Sequence, residues 1–275
     1  MIKDIVVNLG LGAQDPAGEY AVALGEVFEA HVLGIAVSYE PIIPGTVMGG
    51  IPPEIIESQR IESDTKARTA IGLFEQAVKR TGISAETRTI SASISGAADQ
   101  IGRIGRRFDL VVVGQPDRRK SMPDEVVDEG VLFESGRPVI FVPFIHKGGV
   151  DLDRIIICWD GGRTAARAVA DSLPLLKKAK QVEIVIISDK PSRQDELPGA
   201  DLGQHLARHG LKVDVKRITS PDIDVPSTIL SYAADSGADM IVMGGYGHSR
   251  LREFILGGAT RGLLEAMTVP VLMSH

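Results

Sequence analysis

The chain has 275 residues, 44% of them hydrophobic and 24% charged, with a formal net charge of -6; that is enough to bury two cores of ordinary domain size, and it leaves no basic face to coat a nucleic-acid backbone. Its single cysteine, Cys158, excludes an intrachain disulfide and a cysteine-based zinc cage. No apolar run approaches the ~20 residues of a membrane-spanning helix, and Met1-Ile2-Lys3-Asp4 enters an apolar segment without the layout of a secretory signal, so a cytoplasmic protein with neither membrane nor nucleic-acid partner is expected.

Ile5-Val6-Val7 opens a strand, residues 15 to 29 carry Ala21, Val22, Leu24, Val27 and Phe28 at helical spacing, and a second strand covers His31 to Val37. Pro41 to Pro53 reads as a loop whose Ile42, Ile43, Val47, Met48 and Ile51 are apolar enough to cover a groove or join an interface. A long amphipathic helix over Glu54 to Lys79 follows, ending at Thr81-Gly82. A strand at Glu86 to Ile90, a helix over Ala97 to Arg106, a strand at Leu110 to Val113 and a last strand at Val139 to Val142 complete the first half. The basic runs Arg103, Arg106, Arg107 and Arg118, Arg119, Lys120 read as solvated surface.

The same order begins again at Arg154: strand 155 to 157, helix 164 to 178, strand 182 to 187, helix 202 to 209, strand 213 to 218, helix 226 to 236, strand 240 to 243 and a terminal strand over 269 to 273. Phe108-Asp109-Leu110-Val111-Val112-Val113-Gly114 corresponds to Ala238-Asp239-Met240-Ile241-Val242-Met243-Gly244, and Arg137-Pro138-Val139-Ile140 to Val269-Pro270-Val271-Leu272. A repeat of this length indicates a duplicated unit rather than one doubly wound sheet. The expected domains are 1–147 and 148–275, joined at His146-Lys147-Gly148-Gly149. Strands alternating with helices imply a mostly parallel sheet in each, flanked by helices.

The segment from Met243 to Thr260 carries the chemistry. It begins where a buried strand ends, the edge at which open α/β sheets bind ligands. Gly244 and Gly247, then Gly257 and Gly258, let backbone approach a ligand. Ala259-Thr260 then opens the helix Arg261 to Ala266, whose free N–H groups and dipole favour an anion. The Thr260 hydroxyl adds a donor. No Gly-x-x-x-x-Gly-Lys-Ser/Thr occurs, and Gly10-Leu11-Gly12 runs to Asp15 without the third glycine of a dinucleotide fingerprint.

Gly244-x-x-Gly247, nine residues, then Gly257 and a small residue resembles the ATP-binding motif of the universal stress protein family. Two copies resemble its tandem form, over essentially the whole chain. The resemblance implies two tandem adenine-nucleotide-alpha-hydrolase-like (Rossmann-like) domains, each a five-stranded mostly parallel sheet. It places ATP in the C-terminal copy, with Asp160 holding the adenosine part, backbone near Ile187 touching adenine, and phosphate over Gly244, Gly247, Gly257, Gly258 and Thr260, flanked by Met243 and Ala259; His248, by its place in the loop, fits a phosphate contact and an idle exposed side chain equally. Gly258 stands where the family has Ser or Thr, which removes one hydroxyl contact. In the first copy Gly114-Gln115-Pro116-Asp117 replaces the glycine turn and Leu9-Gly10 the aspartate, so its cradle is dismantled.

Other residues are weighed against ordinary structural roles. His205 and His209 have helical i, i+4 spacing but no third ligand, which fits surface histidines better than a metal site. Cys158 and Trp159 fit a buried strand end, and Asp160 also fits a helix cap. With no Gly-x-Ser-x-Gly elbow, no base in the loop and no lysine aimed at the phosphates, no catalytic residue is expected. The expected function is a stress or regulatory protein holding ATP without rapid turnover, with Mg²⁺ carried by phosphate oxygens and water. A slow ATPase, an adenylyl-transferring enzyme and a structural stress protein that binds no nucleotide are the alternatives. Expected partners are the nucleotide and the other copy, within the chain or in a homodimer.

Overall fold

A computed structural model describes residues 1–12, 14–41, 52–116, 123–188, 199–219, 224–246 and 259–275, with 123–125 described by backbone alone. The chain divides into two compact units: Ile2–Gly136 with Lys147–Gly149, and Arg137–His146 with Val150–His275, to which Met1 also belongs.

The first unit runs β1 (Asp4–Asn8), α1 (Pro16–Phe28), β2 (His31–Tyr39), α2 (Pro53–Thr81), β3 (Ala85–Ala92), α3 (Ile94–Gly105), β4 (Leu110–Gly114) and α4 (Pro123–Glu134). Its strands lie in the order β3-β2-β1-β4, all parallel. The second unit runs β5 (Val139–Val142), β6 (Arg154–Cys158), α5 (Arg163–Leu176), β7 (Gln181–Ser188), α6 (Ala200–Arg208), β8 (Val213–Thr219), α7 (Val225–Ser236), β9 (Met240–Gly244), α8 (Ala259–Ala266) and β10 (Val271–Ser274). There the order is β5-β10-β9-β6-β7-β8, parallel except where β5 meets β10 antiparallel. The α/β class, the mostly parallel sheet and the repeated strand order agree with the sequence reading.

The apolar runs explain the strands. Ile5, Val6, Val7, Ile155, Ile156 and Ile157 are fully buried, as strands covered on both faces by helices must be. The matched Phe108–Gly114 and Ala238–Gly244 segments have a structural cause as well. Asp109 Oδ2 accepts from Lys3 N at 2.8 Å and Asp4 N at 3.2 Å, and Asp239 Oδ2 accepts from Arg154 N at 2.7 Å. The same carboxylate thus anchors the start of the first strand in each copy.

Helix ends follow their caps. Asp15, Ser93 and Asp224 accept from the backbone N–H three residues on, and Gly82 and Gly237 close α2 and α7 in the left-handed region. The Ser93 cap starts α3 at Ile94, three residues before the expected Ala97. At the C-terminus, Pro270 keeps β10 from starting before Val271. Helix α4 was not expected at all. Its acidic sequence with Gly130 at the centre hides a buried face of Val127, Val131 and Leu132.

In the second unit the chain adds β7 and β8 on one side of β6, then crosses to place β9 on the other. This is a topological switch point, where the loops leaving β6 and β9 diverge and leave a crevice at their carboxyl ends.

Candidate functional site

At that crevice lies a cavity of about 260 Å³. The end of β6 brings Cys158, Trp159 and Asp160 to it, β7 brings Val185 and Ile187, and β9 brings Met243 and Gly244. α7 contributes Val225 and Ile229, and the first turn of α8 contributes Ala259 and Thr260. The walls are largely apolar, with a carboxylate and a hydroxyl among them, the composition of a small-molecule site, at a volume just below the usual ~300–1,000 Å³.

Backbone geometry explains how these groups are held. Trp159 N donates to Val185 O at 2.9 Å, extending the β6–β7 register past the last residue of β6. Asp160 Oδ1 then accepts from Gly162 N at 2.7 Å, and Gly161 takes φ +75. This Asx-type turn, Asp160 to Gly162, leads from the end of β6 directly into α5 at Arg163. Asp160 is therefore a turn residue, while Gly162 occupies the cap position of α5 without a side-chain hydrogen bond. Its carboxylate still lines the cavity and is exposed.

Gly244 is required by close approach. A Cβ there would lie 2.5 Å from the Ala165 amide nitrogen and 2.5 Å from Thr164 Oγ1, so the end of β9 and the first turn of α5 can meet only without it. Beyond it, Gly245 N donates to Ser274 O at 2.9 Å. Tyr246 follows with φ +48, unusual for a bulky residue, and its N–H donates to Thr260 Oγ1 at 3.2 Å. The hydroxyl of Thr260, a residue 3% exposed, thus fixes the turn as an acceptor and keeps its own proton to donate.

Cys158 is chemically quiet. Burial, and secondarily the Asp160 carboxylate, pushes its thiol up to about 12, so it stays neutral at the cavity wall.

Of the expected site residues, Asp160, Ile187, Met243, Gly244, Ala259 and Thr260 converge on one cavity. Gly247, His248, Gly257 and Gly258 lie outside the described residues, as does nearly all of Pro41–Pro53. Val185, Val225 and Ile229 were missed, and Cys158 and Trp159, read from the sequence as a buried strand end, are half-buried and line the cavity too. Val225 and Ile229 could have been found from the inward stripe that continues to Ala233 on α7, where Ile229 and Ala233 are buried.

The first unit treats its corresponding edge differently. Counting back from the matched strands β5 and β10, Asp128 stands where the second copy has Thr260. That carboxylate is buried and accepts from Asn8 Nδ2 at 2.9 Å. At the end of β2, Ser63 Oγ accepts from Tyr39 N at 2.6 Å, and Asp64 accepts from the Ser38 hydroxyl. Side chains of the unit itself therefore take up the strand-end groups, and at the position of Thr260 a carboxylate, Asp128, replaces a hydroxyl.

His205 and His209 are exposed and meet edge to face with ring centroids 4.8 Å apart. Among the described residues no group of three or more His, Cys, Asp or Glu side chains could hold a metal ion, and no helix is long and apolar enough to cross a membrane.

Comparisons with known proteins point one way. The chain is 20% identical over 213 residues to universal stress protein Slr1230 of Synechocystis, covering 75% of this chain and 71% of that protein. It superposes on a universal stress protein from Archaeoglobus fulgidus with a TM-score of 0.74 at 20% identity, covering 98% of this chain and 94% of that one. A functionally unknown protein from Pseudomonas aeruginosa gives 0.58 at 14% identity, covering 98% and 92%. At these identities the structural likeness is one of fold. Over residues 152–275 the chain matches the model of the universal stress protein family, and its second unit is a domain of that family.

Proposed function

We propose that the second unit holds one adenine nucleotide, ATP, as a state signal and turns it over slowly or not at all. The observation that carries the reading is the single cavity that gathers Asp160, Ile187, Met243, Gly244, Ala259 and Thr260. Val185, Ile187, Val225, Ile229 and Met243 give the flat apolar walls a base needs. Asp160 offers an acceptor to ribose hydroxyls. Gly244, the Thr260 hydroxyl and the free N–H groups opening α8 suit phosphate, and the glycine loop completes that cradle. The described lining residues include no lysine or histidine, so they supply neither a cation aimed at the leaving phosphates nor a neutral base for water. Mg²⁺ would ride on phosphate oxygens and water.

On the same reading the chain is a duplication, residues 1–147 and 148–275, in which only the second copy binds. The carboxylates Asp64 and Asp128 at the first copy's strand edge support the asymmetry. The antiparallel β5–β10 pair supports association of the two copies within one chain. Mass spectrometry of the small molecules released on denaturing the purified protein tests this. An adenine nucleotide near one per chain is expected, and a ligand of another class would contradict the reading.

A further inference from the structure

The first unit contains a second, unrelated cavity at the opposite end of its strands. It measures about 370 Å³ and is lined by the starts of β1, β2 and β3 and by the turn after α3. The second unit shows why it is open. At the same register positions, Arg154 donates to Gln181 Oε1 at 2.6 Å and pairs with Glu183 at 3.5 Å, while Tyr232 of α7 donates to Glu183 Oε2 at 2.6 Å. That network spans the matching positions. In the first unit Asp4, His31 and Leu33 replace Arg154, Gln181 and Glu183 in the matched strand registers, and α3 carries no tyrosine.

The resulting groove has an apolar floor of Leu33, Ile104 and Phe108, with Leu33 and Ile104 buried. Charges of both signs stand on its rim: Asp4 and Glu86, against Arg88 and Arg107. Although all four line one groove, none forms an ion pair with another charge among the described residues. His31 is already engaged, its Nδ1 lying 2.8 Å from Ser84 Oγ.

We propose that this groove binds a free apolar or aromatic α-amino acid, its carboxylate at Arg88 and Arg107, its ammonium at Asp4 and Glu86, and its side chain on Leu33, Ile104 and Phe108. The size agrees: about 370 Å³ lies in the range of small-molecule sites, ~300–1,000 Å³. A zwitterion satisfies both pairs of unspent charges at once, whereas a simple anion or cation leaves one pair facing its own sign.

The test is a calorimetric titration of the full chain with L-phenylalanine, 3-phenylpropionate and phenethylamine, with and without saturating ATP. Saturable phenylalanine binding at millimolar concentration or below, with each analogue about tenfold weaker, is expected. Arg107→Gln should cost about tenfold for phenylalanine and leave phenethylamine unchanged, and Asp4→Asn should do the converse with phenylpropionate. Both side chains are exposed, and unchanged thermal melts would confirm intact folds. Absence of saturable binding, analogues that bind as well as phenylalanine, or indifference to both substitutions would each overturn the proposal. None of these outcomes bears on the nucleotide site, which lies in the other unit.

Discussion

Replacing Gly244 with alanine adds one methyl group where the second unit has least room for it. The new Cβ would lie 2.5 Å from the Ala165 nitrogen, 2.5 Å from Thr164 Oγ1 and 2.8 Å from the Thr164 carbonyl carbon. Two of these are backbone atoms in the first turn of α5, so relief requires the helix to shift and not a side chain to turn. Overpacking of this kind costs about 1–3 kcal/mol, which lowers Tm by about 2–4 °C per kcal/mol for a unit of this size. The matched residue of the first copy is an internal control. A Cβ on Gly114 meets nothing within 4 Å among the described residues, so Gly114→Ala should change stability by no more than about 0.5–1 kcal/mol, in the stabilising direction. Chemical denaturation of both variants alongside the wild type measures the difference directly. Because β9 and α5 meet at the cavity edge, Gly244→Ala should also weaken nucleotide binding while Gly114→Ala leaves it intact. Equal denaturation midpoints for the two variants would refute the packing argument.

Three further outcomes follow from particular side chains. Burial, the largest influence, raises Asp15 from 3.8 to about 6, and its Oδ2 is buried with no hydrogen-bond partner among the described residues. The folded protein therefore holds this proton more tightly than the unfolded chain. Its stability should fall as pH rises from about 4 to about 6, by up to about 3 kcal/mol, and Asp15→Asn, which keeps a capping oxygen, should flatten that slope in pH-dependent urea melts. Tyr232→Phe removes the phenol that donates to buried Glu183 at 2.6 Å and should cost about 1–3 kcal/mol by denaturation. Cys158, its thiol pushed up to about 12 by burial first and Asp160 second, should react with a thiol-disulfide reagent about thirtyfold more slowly in the folded protein than in urea, the smaller thiolate fraction outweighing its higher nucleophilicity. Comparable rates would contradict the raised thiol.

What was legible in the sequence follows from where the information is local. Runs such as Ile155–Ile157 and Leu110–Val113 declare buried parallel strands by themselves, and the duplicated Asp109 and Asp239 carry the repeat because each anchors a strand start. Asp160 and Gly244 were picked out by the family motif and Thr260 by the helix start, whereas the turn that holds Asp160 and the close approach of α5 to Gly244 show only in the fold. Val225 and Ile229 were legible only as part of an inward stripe on α7, since nothing in α7 itself shows that its first turns face the ends of β6 and β9. Helix α4 was hidden for a related reason: its buried stripe of Val127, Val131 and Leu132 is interrupted by Gly130, whose lack of a Cβ admits Ala98 of α3, a tertiary requirement invisible in the segment. The open groove beneath Leu33 was equally illegible, because it exists only by contrast with the network around Glu183.

The central claim is that one copy of the duplicated design binds an adenine nucleotide and the other does not. Calorimetric titration of the full chain with ATP, on the wild type and on Asp160→Ala, tests it most directly, with Asp160→Asn separating the carboxylate's charge from its turn-forming oxygen. The account predicts one site per chain and a weakening of about tenfold for Asp160→Ala, the loss of ~1.4 kcal/mol. Two sites per chain, or an Asp160→Ala variant that binds ATP as tightly as the wild type, would contradict it.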